Sequence, residues 1–147
     1  MSNATHVEKV ASIIKVLNGG IEFYSDAIKK VDSQKVKDVF NTVIREKQSA
    51  VDKLQPFAVS EKGEYEHDNS MAVDTRNMYT RLISTFSSDS DHTFVSQLEE
   101  VEDKTLDVIR DALDEDQPED CRSVLKTVMA DMSKCHNQMK TLQNATS

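Results

Sequence analysis

Hydrophobic residues near the N-terminus recur in alternating steps of three and four. They occupy positions Val7, Val10, Ile14, Leu17, Ile21, Tyr24, Ile28 and Val31. This heptad spacing places all of them on one face of a long α-helix. Because an apolar face of that length must be covered, the pattern predicts a helical bundle in which the rest of the chain supplies the partner helices.

Four further segments show the same periodicity between short polar stretches. The predicted helices span about 6–31, 34–61, 70–86, 92–113 and 118–143. Pro56 should kink or end the second helix, but the apolar phase continues beyond it, so a kinked helix that stops at Gly63 is our interpretation. Pro118 should stand at the first position of the last predicted helix, where proline is favoured. Thr5 and Glu8 are expected to form a capping box before the first helix.

Asn18-Gly19-Gly20 lies in the middle of the first predicted helix. Two glycines there lower helix stability by roughly 1–2 kcal/mol. The apolar heptad passes through them without a phase shift, which favours one continuous helix whose glycines let a neighbouring backbone approach closely. A break into two shorter helices is the alternative that the sequence leaves open.

The chain is predicted to be all-α, with residues 1–147 forming a single domain. It contains only three glycines and two prolines, and such a scarcity of helix breakers favours long helices over a sheet. The simplest architecture is an up-down four-helix bundle built from the four long helices. The shorter helix at 70–86 would then lie in a long crossover between two hairpins, which is a ferritin-like connectivity.

Charge and hydropathy narrow the possible partners. The net charge of −8 argues against a nucleic-acid-binding protein and against docking on an anionic membrane. No apolar run approaches the ~20 residues that span a bilayer, and the first residues lack the apolar core of a signal peptide. We therefore expect a soluble cytoplasmic protein. Cys121 and Cys135 should lie about 21 Å apart on one helix, too far for a disulfide, and should be buried thiols.

Several polar residues fall on the predicted inner faces. Lys47 and Glu102 lie near the centres of the second and fourth helices' inner faces, and His136 points toward the inner side of the fifth. Buried charges are normally paired, so we predict an internal polar cluster of Lys47, Glu102 and His136, with Tyr24 as a hydroxyl partner. Such a cluster would fix helix register. The alternative is that Lys47 extends to solvent and Glu102 lies at a helix seam.

Several short stretches resemble a bacterial ferritin-like family of unknown function. They are Val16-Leu17-Asn18-Gly19-Gly20-Ile21-Glu22-Phe23-Tyr24, Arg45-Glu46-Lys47, Val101-Glu102-Asp103, Gln117-Pro118-Glu119 and Cys135-His136. The resemblance extends over almost the whole chain. It implies a ferritin-like bundle with an additional helix, and it implies no particular activity because none is established for the family.

Ferritin-like folds often hold two metal ions through inward Glu and Glu-x-x-His ligands. Glu22, Glu46, Glu102 and His136 fall near the expected places, but none of the predicted helices contains a Glu-x-x-His, and Glu22 faces away from the core. We therefore expect no metal or other cofactor. Iron held by Glu46, Glu102 and His136 is the alternative.

Polar loops offer two further groups of possible cation ligands. They are Glu64, Glu66, His67 and Asp68 in one loop, and Asp89, Asp91 and His92 in the other. Neither spacing matches an EF-hand or a zinc site, so we interpret both as ordinary solvated loop charge.

No catalytic residue is identifiable, since the chain shows neither a nucleophile with its base nor a glycine-rich phosphate loop. The leading hypothesis is a non-enzymatic helical bundle that acts through its surface, as a homo-oligomer or with another protein. Its predicted contact face is the third helix, with Met71, Met78, Tyr79 and Phe86. That face would alternatively cover the bundle's own core. The rival hypothesis is a ferritin-like di-iron oxidase or storage protein with a degenerate ligand set.

Overall fold

A computed structural model describes residues 6–68 and 91–146. These residues form four α-helices: α1 (Val10–Ile28), α2 (Gln34–Lys62), α3 (Asp91–Leu113) and α4 (Glu119–Thr146). The described ranges contain no strand, which confirms the all-α prediction. The predicted helix at 70–86 and its contact face lie outside these ranges. No helix within them is long and apolar enough to cross a membrane.

Contacts at the two ends of the bundle fix the helix directions. At one end, the carboxylate of Asp91 accepts hydrogen bonds from the backbone N–H groups of Asp32 and Ser33, so α3 begins beside the α1–α2 turn. At the other end, the side chain of Gln117 exchanges two hydrogen bonds with the backbone of Glu8. Hence α3 runs antiparallel to α1 and parallel to α2, and α4 returns antiparallel to α3.

The helices pack in the ring order α1, α2, α4, α3, which places α2 and α3 on a diagonal. Because these two helices run parallel, the end of α2 and the start of α3 lie at opposite ends of the bundle. A chain that joins two such points needs one long connection. The four helices therefore form two antiparallel hairpins, α1–α2 and α3–α4, packed against each other.

The apolar stripe of the first predicted helix lies in the core. Six of its positions are at most 3% exposed, and Ile21 and Ile28 are partly buried against them. The other helices contribute large, fully buried side chains to the same core, among them Phe40, Leu54, Leu98, Ile109, Leu125 and Met132. One continuous hydrophobic core thus joins all four helices.

The first helix is shorter than predicted at both ends. It begins at Val10 rather than near residue 6, and Lys9 before it has a left-handed backbone with φ of 64°. The N-terminus is capped by Glu61 of α2, whose two oxygens accept from the N–H groups of Lys9 (3.1 Å) and Ala11 (2.8 Å). A carboxylate there also interacts favourably with the helix dipole. The helix ends at Ile28, although the apolar stripe continues to Val31.

Helix α1 is continuous across Gly19 and Gly20, as the heptad predicts, and both glycines are buried. The close neighbour at Gly20 is a side chain rather than the backbone that we expected. A Cβ added there would lie 3.3 Å from both Cδ and Cε of Lys47. Helix α2 continues through Pro56 and ends at Lys62. The capping residue Gly63 follows with a φ of 88°, the left-handed conformation that glycine adopts without strain.

Candidate functional sites in the bundle interior and at its surface

A salt bridge joins α2 and α3 across the diagonal of the bundle. The Nζ atom of Lys47 donates to Oε1 of Glu102 over 3.0 Å, and both side chains are 0% exposed. The ammonium also lies 3.5 Å from Oγ1 of Thr105 and 5.9 Å from the centre of the Tyr24 ring. These neighbours replace part of the hydration that both charges lose on burial, a loss that otherwise costs several kcal/mol per ion.

Tyr24 of α1 completes the coordination of the Glu102 carboxylate. Its hydroxyl donates to Oε2 over 2.6 Å, so both oxygens of Glu102 have a partner. Burial, followed by the charge of Glu102, raises the pKa of Tyr24 well above its usual value, which keeps the hydroxyl protonated as a donor. The ring itself packs edge-on against Phe40 at 5.3 Å between centroids. We call Lys47, Glu102, Tyr24 and Thr105 the interior cluster.

The structure brings together three of the four residues of the predicted cluster and excludes His136. The imidazole follows the buried Cys135, and one helical step of about 100° turns it away from the core toward the edge of α3. Thr105 takes part instead. Its position three residues after Glu102 on the same helical face is a sequence signal that could have identified it.

The possible iron ligands Glu46, Glu102 and His136 do not converge. Glu46 is exposed on α2, Glu102 lies in the interior, and His136 lies at the α3–α4 surface. Glu22 is exposed on α1, as its helical phase predicts. The structure thus places these side chains in different environments of the bundle.

Glu66 is an exception in its loop, whose other possible ligands are exposed as the interpretation of solvated charge expects. The side chain is 4% exposed and accepts from Lys62 (3.0 Å) and from the backbone N–H of Asp68 (3.1 Å), with Lys15 3.7 Å away. Burial acts to raise its pKa, but these hydrogen bonds and the two lysine charges outweigh it and lower the pKa. Asp91, from the second group of possible cation ligands, is the first residue of α3 and the acceptor at the α1–α2 turn, and Asp89 lies outside the described residues.

His136 of α4 meets two carboxylates of α3 at the bundle surface. Its Nε2 lies 2.7 Å from Oδ1 of Asp103 and 3.1 Å from Oε1 of Glu99. His136 and Glu99 are 19% and 14% exposed, whereas Asp103 is 57% exposed. We call these three residues the His136 cluster. The residues predicted from the sequence did not include Glu99 and Asp103, although these two stand four residues apart and therefore share one helical face.

The two cysteines lie in α4, and neither forms a disulfide. Burial, with the charge of Asp120, raises the pKa of Cys121 to about 11. Burial, with the charge of Glu102, raises that of Cys135 to about 12. Since the thiolate is the reactive form, both are inert hydrophobic groups, in line with the prediction.

A shallow groove of about 320 Å³ runs between the start of α2 and the end of α4. Its floor is mostly apolar, with Val39 and Leu142 among its lining residues, and Lys35 stands beside them. We call this the α2–α4 groove.

Within the described ranges, the helices and the interior cluster define an all-α, four-helix arrangement with a buried lysine–glutamate pair. The chain belongs to the family described as Domain of unknown function (DUF2383), whose model matches residues 5–115, or 111 of the 147 residues. The match covers α1 to α3, and α4 with His136 lies beyond it. No curated protein matches the chain. No solved structure matches it either.

Proposed function

We propose that this protein is a non-enzymatic, cytoplasmic helical bundle of the ferritin-like type that acts through protein contacts at its surface. The observation that carries this proposal is the salt bridge between Lys47 and Glu102 at 0% exposure. The ammonium of Lys47 is thus a cation already bound to this carboxylate within the interior. Both oxygens of Glu102 are already used, one by Lys47 and one by Tyr24.

The direction of the helices supports the ferritin-like type. Parallel helices α2 and α3 on the diagonal require a single long crossover between two antiparallel hairpins, and ferritin-like bundles have one such connection. Bundles of this type can build metal sites from facing side chains in their core. Here the interior side chains of the cluster satisfy one another, so the interior cluster fixes the register of α1, α2 and α3.

The α2–α4 groove supports a surface role. It offers apolar area on a face where the two helices meet, and a second copy of the chain could cover it in a two-fold dimer, the commonest symmetric assembly. We therefore propose a homo-oligomer in which this groove lies at the contact. The contact face predicted at 70–86 lies outside the described residues, so it stays a prediction.

The oligomer is tested by analytical ultracentrifugation of the full chain and two matched variants. Val39→Glu puts a charge into the groove, and Val59→Glu makes the same change at a 38% exposed position on the same helix, outside the groove. Because Val39 is also partly buried against the core, circular dichroism of both variants must first show that the fold is kept. We expect a dimer or larger assembly that V39E weakens by at least about tenfold and V59E leaves unchanged, since tenfold corresponds to only ~1.4 kcal/mol. A monomer at all concentrations, or equal effects of both variants, contradicts the proposal.

The interior role is tested by iron loading followed by desalting and mass spectrometry of metal content. Our proposal expects no dinuclear iron centre in the interior. Close to two irons per chain, lost in Glu102→Gln, would instead support the rival oxidase or storage function.

A further inference from the structure

We propose that the His136 cluster is a binding site for a single divalent transition-metal ion, such as zinc, at the α3–α4 surface. In residues 6–68 and 91–146, Glu99, Asp103 and His136 are the one group of three metal-ligating side chains whose donor atoms all lie within 4.8 Å of one another. This site is separate from the interior cluster and does not depend on the proposed surface function.

The ligands come from two helices that the fold already holds together. Glu99 and Asp103 project from consecutive turns of α3, and His136 faces them from the antiparallel helix α4. No loop has to close for the three groups to meet. Sites built on packed helices keep their geometry better than sites on loops.

The ring nitrogen of His136 cannot donate a full hydrogen bond to both of the carboxylates that face it. Two carboxylate oxygens point at the same atom, Nε2, over 2.7 and 3.1 Å, yet one ring nitrogen carries at most one hydrogen. The two carboxylates also bring like charges close together at a surface where Glu99 is 14% exposed. A metal ion that accepts a lone pair from Nε2 and from each carboxylate would coordinate all three groups. It would also offset the repulsion between the two carboxylates.

The two separations that involve His136 are compatible with an ion of this size, and the two carboxylate oxygens lie within 4.8 Å of each other. Zinc binds imidazole nitrogen and carboxylate oxygen at about 2.0–2.2 Å, so two tetrahedral ligands lie roughly 3.4 Å apart. The observed 2.7 and 3.1 Å would have to widen by only about 0.3–0.7 Å, within reach of small side-chain rotations.

Mixed imidazole and carboxylate ligands suit zinc and neighbouring first-row ions better than calcium or magnesium, which prefer oxygen alone. Three protein ligands leave a fourth position for water or for a group from another molecule. Asp103 is 57% exposed, so the ion has an open path from solvent.

The test is calorimetric titration of zinc into the chelator-treated full chain, with cobalt absorption spectra reporting the ligand geometry. His136→Gln and Asp103→Asn each remove one ligand. Asp107→Asn, one turn further along α3 at a 63% exposed position, and His67→Gln, in an exposed loop, are matched controls. We expect one ion per chain, binding that is at least roughly tenfold weaker in H136Q and D103N, and unchanged binding in the controls.

Glu46→Gln separates this site from the alternative ligand set of Glu46, Glu102 and His136. Our proposal expects E46Q to bind zinc as the wild type does, because Glu46 is exposed on α2 and lies outside the His136 cluster. Three results would each overturn the proposal. They are no stoichiometric uptake by the wild type, affinity retained in both H136Q and D103N, and a loss in E46Q or the controls that equals the loss in D103N.

Discussion

Replacing Lys47 by methionine removes the ammonium from the interior while keeping a side chain of similar length. Glu102 would keep the 2.6 Å hydrogen bond from Tyr24 but lose its 3.0 Å salt bridge, and its carboxylate is 0% exposed. A buried charge deprived of its partner destabilises a protein by about 3–5 kcal/mol. We expect K47M to lower the free energy of unfolding by this amount.

The free energy of unfolding of a domain is usually ~5–15 kcal/mol, so this loss is a large part of it. For a chain of this length each kcal/mol shifts the melting temperature by about 2–4 °C, so the expected fall is roughly 6–20 °C. The assay is urea unfolding followed by far-ultraviolet circular dichroism. The midpoint should fall while the slope with urea stays the same, because the surface exposed on unfolding does not change.

Lys53→Met is the matched control on the same helix. Lys53 also pairs with a carboxylate, Asp131 at 3.1 Å, but it is 43% exposed. An exposed pair contributes about 0.2–1 kcal/mol, so K53M should cost several times less than K47M. Equal losses in the two variants would show that Lys47 reaches solvent and would refute the buried pair.

Two further variants complete the test of the salt bridge. Glu102→Gln leaves Lys47 without its anion and should also destabilise, so unchanged stability in E102Q contradicts the interior cluster. The triple variant Y24F/K47M/E102L removes both charges together with the Tyr24 hydroxyl that would lose its acceptor. It should cost less than K47M alone, since replacing a whole buried pair by apolar groups is often close to neutral.

Three other predictions follow from the packing and the pKa shifts. Gly20→Val should destabilise the protein by about 1–3 kcal/mol in the same urea assay. Even a Cβ at this position would lie 3.3 Å from the side chain of Lys47, whose ammonium is held by Glu102. A neutral or stabilising result would show that there is room at this contact. The pKa of Glu66 is lower in the folded than in the unfolded chain, so its contribution is complete above its ordinary value of 4.5 and is lost as pH falls through the folded pKa. Glu66→Gln should therefore flatten the loss of stability in acid, and an unchanged acid titration would contradict the shift. Cys121 and Cys135 should resist a thiol reagent at pH 8 in the folded chain and both react in urea, because burial raises their pKa to about 11 and about 12; rapid labelling without urea would contradict their burial.

Local patterns in the sequence were sufficient to place most helix ends. Helix α2 begins at the predicted residue and ends one residue late, and α3 begins one residue early and ends as predicted. These ends depend on nearby residues such as the Ser33 cap and Gly63, which act through backbone geometry within one turn. The start of α1 was misplaced because its cap comes from Glu61, which follows Ala11 by 50 residues and meets it only in the folded bundle.

Periodicity also indicated that Lys47 and Glu102 point inward, since each lies near the centre of an apolar face. It did not decide which groups they meet. His136 lies at the edge of its helical face, where a modest rotation of the helix turns a side chain from the core to the surface. The packing of α4 against α3 made that choice and paired it with Glu99 and Asp103.

The sequence by itself therefore determined the helices, the apolar faces and the presence of charges in the core, because these follow from spacing along one helix. Only the tertiary structure decided the partners: Lys47 with Glu102 in the space left by Gly20, and His136 with two carboxylates at the surface. Contacts between helices depend on their relative rotation and height, and the spacing within a single helix does not contain that information.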